Sequence, residues 1–176
     1  MPKTIYYVAS SLDGFIADAH GKLDWLTAFD GAEGTVEKYE ALMARVGALV
    51  MGAETYAFVL GAGGPWPYPK HPSWVFTRRK WDVPPGADVR FVSGDVRDHV
   101  EAIERSAAGR DVWMVGGGGL AAQYLEIGRL HELHLNLVPI ALGAGAPLLP
   151  VLTRVMQLDE VTRLGRGLVE LRYSLP

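Results

Sequence analysis

The sequence predicts an α/β protein whose β-sheet is mixed and largely parallel. Short apolar runs rich in β-forming residues alternate with segments of helical periodicity, the pattern of parallel strands joined by helices. Around Gly165-Arg166-Gly167 the pattern changes to strict alternation, which is typical of an antiparallel hairpin. The length of 176 residues fits one domain, residues 1–176, with a single core and no need of disulfides.

Each element follows from a local pattern. The predicted strands cover residues 4–9, 48–51, 73–77, 89–92, 112–115, 133–138, 158–163 and 169–175. The predicted helices are 35–46 with Thr35 as N-cap, 55–60, a segment capped by Asp95 that runs to residue 107, and 120–127 ended by Gly128. Turn residues predict an ordered loop over 10–26, a proline- and glycine-rich loop over 61–72, and a loop that contains Gly143, Gly145 and Pro147. We expect the strand 133–138 to have one wetter face, because leucines alternate there with His134 and Asn136.

Composition excludes several classes of function. The net charge is −3 and the basic residues are scattered, which disfavours nucleic acids and anionic membranes as partners. No window approaches 18 consecutive apolar residues, and the chain has no cysteine, so we expect a cytoplasmic protein without thiolate metal sites. His131 and His134 point to opposite faces of a strand, which predicts solvated or interface residues and no metal site. A small-molecule partner is the remaining expectation.

The strongest functional signal lies in residues 111–128, which are predicted as a buried strand, a turn made only of glycine, and a helix. Gly116–Gly119 have no Cβ between their backbone N–H groups and an approaching ligand. The positive end of the helix dipole and its free N–H groups favour a phosphate at this position. A tight structural turn is the alternative interpretation.

Further candidate groups follow other predicted strands. Gly52 and Thr55 come after the second strand, and Thr77, Arg78 and Arg79 come at the end of the third. Ligands of open α/β sheets bind outside the carboxyl ends of the strands. Two phosphate sites and an arginine pair fit a dinucleotide with a 2′-phosphate, which favours NADPH over NADH. A solvated surface turn is the alternative interpretation of the basic pair.

Five motifs, in order along nearly the whole chain, share one resemblance. They are ASSLDGFIA (9–17), VMGAETY (50–56), VFTRR (75–79), VGGGGLAAQYL (115–125) and ELHLNLVPIALGAGAPLL (132–149). The chain resembles the dihydrofolate reductase-like family, in particular the branch similar to the reductase domain of bacterial riboflavin biosynthesis deaminase/reductases. The resemblance implies a central mixed eight-stranded sheet with flanking helices and a C-terminal antiparallel hairpin. It also implies hydride transfer from NADPH to a small heterocycle of pteridine or ribosylaminopyrimidine type, in a homodimer.

The resemblance also assigns roles by motif position. The implied cofactor contacts are Ala9 and Ile16 at the nicotinamide, Gly52 and Thr55 at the pyrophosphate, Thr77, Arg78 and Arg79 at the 2′-phosphate, and Gly116, Gly117, Gly118, Gly119 and Leu120 at the pyrophosphate and nicotinamide ribose. Asp30 and Asp13 are the candidate catalytic carboxylates, because an acid beside a heterocycle can assist proton delivery. Trp25 and Trp66 are the candidate walls of the substrate pocket.

Three departures from the family pattern leave alternatives open. Classical dihydrofolate reductases have a basic residue where this chain has Ala53 and Glu54, and riboflavin-type reductases commonly have a glutamate where it has Gly116. The deaminase partner domain is absent from the sequence. The alternatives are therefore a true dihydrofolate reductase, and a catalytically weak NADPH-binding or ligand-binding protein of the same fold.

Overall fold

A computed structural model describes residues 2–151 and 153–176. The strands are β1 (Thr4–Ser11), β2 (Phe15–Asp18), β3 (Val46–Gly52), β4 (Ser73–Phe76), β5 (Val89–Val92), β6 (Asp111–Gly116), β7 (Glu132–Val138), β8 (Gly145–Pro147), β9 (Gln157–Arg163) and β10 (Val169–Ser174). The α-helices are α1 (Thr35–Arg45), α2 (Ala53–Gly61), α3 (Val100–Ser106) and α4 (Gly118–Glu126). Short 3-10 helices cover Asp24–Phe29, Val96–Asp98 and Gly165–Gly167. None of the described helices is long and apolar enough to cross a membrane.

The central sheet has eight strands in the order β5-β4-β3-β6-β1-β7-β10-β9. In the part of the sheet ordered β5-β4-β3-β6-β1-β7, every adjacent pair of strands is parallel. Strand β10 is antiparallel to both of its neighbours, β7 and β9. This mixed sheet and its C-terminal hairpin confirm the predicted fold. The parallel arrangement places the carboxyl ends of β3, β6, β1 and β7 side by side at one edge, which we call the carboxyl edge.

Alternating residues of the sheet enter two separate cores. Ile5, Leu49 and Trp113 belong to a core that is completed by Leu42 of α1 and Tyr56 of α2. The residues on the other face, such as Tyr6, Val50 and Met114, pack with apolar side chains of α3 and α4. Burial on both faces explains why these strands are continuous apolar runs in the sequence.

Several local predictions are wrong. Gly34, at φ 86°, is the N-cap of α1 in place of Thr35, whose hydroxyl donates to the Ala32 carbonyl. Asp95 caps the 3-10 helix Val96–Asp98 through the Arg97 N–H, and α3 begins only at Val100. The segments predicted as loops contain β2 and β8, which form a two-stranded antiparallel sheet. These strands have only 4 and 3 residues, too few for a periodic signal.

The expected wet face of β7 is also wrong. Glu132, His134 and Asn136 are all buried, with less than a tenth of each residue exposed. The register pairs His134 with Arg172 and Asn136 with Glu170, so polar side chains of β7 and β10 share one face. Burial of these polar groups requires that they find partners within the protein.

Glu132 is the centre of an ion cluster at the amino end of the sheet. Its carboxylate contacts Lys3 Nζ, and the other oxygen lies 2.9 Å from His134 Nε2. Burial raises the pKa of Glu132, but Lys3 and His134 outweigh that effect and lower it to about 2. A carboxyl with a depressed pKa in the folded state stabilises the protein above its unfolded pKa and loses this contribution as the pH falls.

We therefore expect Glu132→Gln to weaken the acid dependence of stability. The wild type should lose up to about 3 kcal/mol more than the variant as the pH falls from 6 towards 2, because only the wild type must protonate this carboxylate. Urea unfolding across this pH range measures the difference. The Lys3→Met variant should lose stability at a higher pH than the wild type does, because it lacks the main cation at Glu132. Parallel pH profiles for all three proteins would contradict the assignment.

Candidate functional site

The carboxyl edge brings together residues from distant parts of the sequence. Gly52 ends β3 and Thr55 lies in the first turn of α2, while Gly116 ends β6, the strand next to β3. A Cβ built on Gly116 would lie 3.2 Å from Thr55 Oγ1, and one built on Gly117 would lie 3.8 Å from Ile16 Cδ1. A Cβ on Gly52 would lie 3.9 Å from the backbone of Gly116 and Gly117. Five of the predicted cofactor residues are thus neighbours, and they form what we call the glycine cleft.

The backbone at Gly116 explains why this position is glycine. Its φ is +148°, a conformation that side-chain-bearing residues rarely adopt, and the peptide that joins it to Gly117 is cis. A Cβ built on Gly117 or on Gly52 would meet only other residues of the cleft within 4 Å. The strand-to-helix turn therefore exposes backbone where side chains would otherwise stand.

Two helices begin at this cleft. Gly52 is the N-cap of α2 and Gly117 is the N-cap of α4, and neither helix has a side-chain cap. The first N–H groups of a helix have no acceptor within the helix, so these termini can bind an anion. At Gly119, no atom lies within 4 Å of the position that a Cβ would occupy. The first turn of α4 is therefore open at this residue.

Gly118 and Leu120 have different surroundings. A Cβ on Gly118 would come within 2.5 Å of the carbonyl oxygens of both Pro147 and Leu148. Gly118 is thus required by the close approach of another chain segment, whatever binds nearby. The side chain of Leu120 is buried in the core beneath α4, and its N–H donates to the Gly117 carbonyl.

The basic residues after β4 lie on the surface. Thr77 Oγ1 accepts hydrogen bonds from the Arg79 N–H and from Trp81 Nε1, which fixes the turn. Arg79 Nη2 lies 2.7 Å from Glu54 Oε1 in the first turn of α2. This ion pair connects the predicted 2′-phosphate site to the helix that begins at Gly52. Arg78 is exposed and has no ion pair within the described part of the chain.

The two predicted catalytic carboxylates are both exposed. Asp13 accepts hydrogen bonds from Ser11 Oγ and from the N–H groups of Leu142 and Gly143. These bonds lower the pKa of Asp13 to about 2, so its carboxylate is charged at neutral pH. It binds the backbone of residues 142–143 to the end of β1. Asp30 directly follows the 3-10 helix Asp24–Phe29, on the surface. The expectation of a buried carboxylate is therefore wrong for both residues.

The two predicted tryptophans lie in different environments. Trp25 is half-buried and packs in a small cluster with Ala9 and Val138 at the carboxyl edge. Trp66 is 5% exposed and packs against Tyr56 and Tyr68 in the core beneath α2. Trp25 therefore lies where a substrate could reach it after a local movement, whereas Trp66 is a packing residue in this structure.

The sequence reasoning missed a polar group on the α1 side of the sheet. Glu170 of β10 is only 2% exposed, and Lys38 Nζ of α1 lies 2.9 Å from its carboxylate. Asn136 is the partner of Glu170 in the register of β7 and β10. A groove of about 480 Å³ opens beside Lys38 and is lined by the first turn of α1 and the end of β9. The sequence does contain a signal for this buried polar face, since β7 and β10 both have polar residues at every second position.

The described residues contain no group of three acidic or histidine side chains arranged to hold a metal. His134 is buried against Glu132, so the prediction of a solvated or interface residue is wrong for it. His131 Nδ1 accepts a hydrogen bond from the Thr4 N–H. His131 thus connects the start of β7 to β1, whereas the partner of His134 lies in its own strand.

Comparison with known proteins relates this geometry to a family. Residues 66–169 match the model of the RibD C-terminal domain. The chain is 31% identical over 173 residues to the uncharacterized protein YwjB of Bacillus subtilis, and the match covers 97% of both chains. It is also similar to the crystal structure of a candidate riboflavin biosynthesis protein from Shewanella sp. PV-4, with a TM-score of 0.83, 30% identity and 99% coverage of each chain.

A more distant structure has the same fold. The diaminohydroxyphosphoribosylaminopyrimidine deaminase/5-amino-6-(5-phosphoribosylamino)uracil reductase of Thermotoga maritima is 15% identical, with a TM-score of 0.67. The match covers 99% of this chain and 57% of the Thermotoga protein. The similarity therefore concerns one part of that larger enzyme.

Proposed function

Because this chain belongs to the RibD C-terminal domain family, we propose that it is an NADPH-dependent reductase of a small nitrogen heterocycle. The proposed substrate is of the pteridine or ribosylaminopyrimidine type, as in the reductase named for the Thermotoga relative. We further propose that residues 1–176 act as one domain and assemble as a homodimer. NADPH would supply the hydride, and the protein would supply orientation and electrostatics.

The observation that carries the proposal is the glycine cleft between two uncapped helix termini. The open first turn at Gly119 and the α2 terminus after Gly52 suit the two phosphates of a dinucleotide. Ile16 borders the cleft at Gly117, and Ala9 belongs to an apolar cluster on the adjacent strand β1, so a nicotinamide ring would find apolar contacts there. The residues present therefore fit the cofactor. Arg78 and Arg79 would bind the 2′-phosphate, and Glu54 would compete for Arg79.

We propose different roles for the two carboxylates, Asp13 and Asp30. Asp13 stays charged and holds the 142–143 loop against the end of β1, because its pKa is about 2. It is a poor proton donor near neutral pH for the same reason. Asp30 stands on the surface beside the half-buried Trp25 segment and is the proposed group for proton delivery through water.

Titration with NADPH and NADH tests the cofactor site. Arg78→Ala and Arg79→Ala should each lower the affinity for NADPH by about 10- to 150-fold and leave NADH binding unchanged, because only NADPH offers a phosphate to the arginines. Glu54→Gln should raise the affinity for NADPH, since it frees Arg79 from its ion pair. Quenching of tryptophan fluorescence reports the binding.

The matched control is Arg97→Ala. Arg97 is exposed and paired with Asp95, as Arg79 is paired with Glu54, but it belongs to the segment that precedes α3. Its replacement should change neither affinity. Failure of the wild type to bind either nucleotide would contradict the proposed function, and equal losses for NADH and NADPH would contradict the assignment of the arginines.

Turnover separates an enzyme from a binding protein of the same fold. A reductase oxidises NADPH when a pyrimidine or pterin acceptor is added, which lowers the absorbance of the reduced nicotinamide. A binding protein gives only a shift of the melting temperature in the presence of NADPH.

A further inference from the structure

Two buried polar atoms at the carboxyl edge lack hydrogen-bond partners within residues 2–151 and 153–176. They are the amide oxygen Oδ1 of Asn136 and the indole nitrogen Nε1 of Trp25. A buried polar atom without a partner costs free energy, so each such atom in a native fold calls for an explanation. One atom is an acceptor and the other is a donor.

Both atoms belong to residues that surround Ala9. Asn136 is the partner of Ala9 in the parallel register of β1 and β7, so the two side chains stand on the same face of the sheet. Trp25 packs in the cluster that contains Ala9 and Val138. The glycine cleft lies on the other side of β1, because β1 separates β6 from β7. The two unpartnered atoms are therefore beside the residue proposed to face the nicotinamide.

The Asn136 amide lies beside the Tyr7 hydroxyl. Burial raises the pKa of that hydroxyl, and the nearby Asn136 side chain partly offsets the effect. Asn136 is only 6% exposed, and its amide oxygen has no hydrogen-bond donor among the described residues. Burial thus confines the side chain without satisfying its acceptor, as expected of a group that awaits a ligand.

An unpartnered acceptor and an unpartnered donor, both on residues around Ala9, are the two contacts that the lactam edge of a heterocycle needs, since a ring N–H stands there next to a ring carbonyl. We propose that Asn136 Oδ1 accepts the ring N–H and Trp25 Nε1 donates to the ring carbonyl of a uracil-type substrate. The inference rests on the proposed function, which brings such a ring to Ala9. Because both atoms are buried, a local opening must expose them to the substrate.

Two uracils that differ only at the ring nitrogens test the assignment. The probes are 5,6-diaminouracil, which has ring N–H groups, and 1,3-dimethyl-5,6-diaminouracil, which keeps the carbonyls but has none. Isothermal titration calorimetry should show that the wild type prefers the first probe by about 10-fold or more. Asn136→Leu should bring this ratio close to one, because an apolar side chain of similar size removes the acceptor.

Trp25→Phe tests the donor independently. It keeps an aromatic ring in the cluster and removes the N–H, so it should weaken both probes about equally and preserve their ratio. Thermal melting checks that each variant is folded, and Asn136→Leu should melt at or above the wild-type temperature, since the unpartnered oxygen is gone. If Asn136→Leu does not fold, the wild-type ratio of the two probes tests the contact with the ring N–H, and Trp25→Phe tests the donor.

The possible outcomes separate this inference from the proposed function. A folded Asn136→Leu variant with the wild-type ratio would overturn the role of Asn136, and so would a wild type that binds both probes equally or neither. Unchanged affinities in Trp25→Phe would overturn the role of Trp25. A wild type that binds no NADPH overturns the proposed function, while the probe ratio still decides whether Asn136 reads a ring N–H.

Discussion

Replacement of Gly118 by alanine is expected to destabilise the fold by about 1–3 kcal/mol or more. The added methyl group would come within 2.5 Å of two backbone carbonyl oxygens, those of Pro147 and Leu148. Both oxygens belong to the backbone, so a side-chain rotation cannot move them away. The backbone at Leu148 is further held by a hydrogen bond from its N–H to the Gly14 carbonyl. Urea unfolding followed by circular dichroism measures the loss.

Gly119→Ala is the matched control for this effect. It is the next residue in the same turn of α4, but no atom lies within 4 Å of its Cβ position. Its stability should equal or slightly exceed that of the wild type, since alanine favours the helix more than glycine does. If a folded Gly119→Ala variant binds NADPH more weakly, the open side of the turn belongs to the cofactor site. Equal destabilisation by the two alanines would contradict this account of the tetraglycine.

Loss of the Lys38 charge is expected to have the second large effect. Lys38→Met leaves the carboxylate of Glu170, which is 2% exposed, without its cation. Breaking a buried ion pair by removing one partner costs about 3 kcal/mol or more, because the remaining charge is desolvated and uncompensated. The double variant Lys38→Met/Glu170→Gln should recover most of this loss, which a double-mutant cycle measures by denaturant unfolding.

An exposed pair provides the comparison. Arg105 and Glu101 form an ion pair on α3 in which both side chains are more than two thirds exposed. Arg105→Met should therefore change the unfolding free energy by less than about 1 kcal/mol. A Lys38→Met variant as stable as Arg105→Met would contradict the role of Lys38 as the cation that stabilises buried Glu170.

The sequence was informative where local patterns and backbone geometry determine the structure. Continuous apolar runs located the parallel strands, and the tetraglycine marked the strand-to-helix turn, because both follow from residues close together in the chain. The grouping of Gly116 with Thr55 was expected from their positions at strand ends, and that of Gly117 with Ile16 through the family resemblance. Their contacts depend on the order of strands in the sheet.

The errors share a different cause. His134 and Asn136 were expected on a wetter strand face because polar residues in alternating strands are usually solvated, but Glu170 of β10 and Lys38 of α1 lie on that face. Asp13 was a candidate catalytic carboxylate, whereas the backbone of residues 142–143 binds it. In each case burial or charge is determined by a segment far away in the sequence, which local patterns do not report.

The position of β1 has a consequence for how this protein reaches its structure. Thr4 pairs with Val112 and Ile5 pairs with Glu132, so the first strand of the chain is enclosed by two strands that are synthesised much later. Pairings between such distant residues are slow to form, because the chain loses the entropy of closing a long loop before any stabilising contact is made. On the ribosome, the apolar residues of β1 must therefore wait without their sheet partners until β6 and β7 emerge. This interval is where chaperone binding or aggregation would compete with folding.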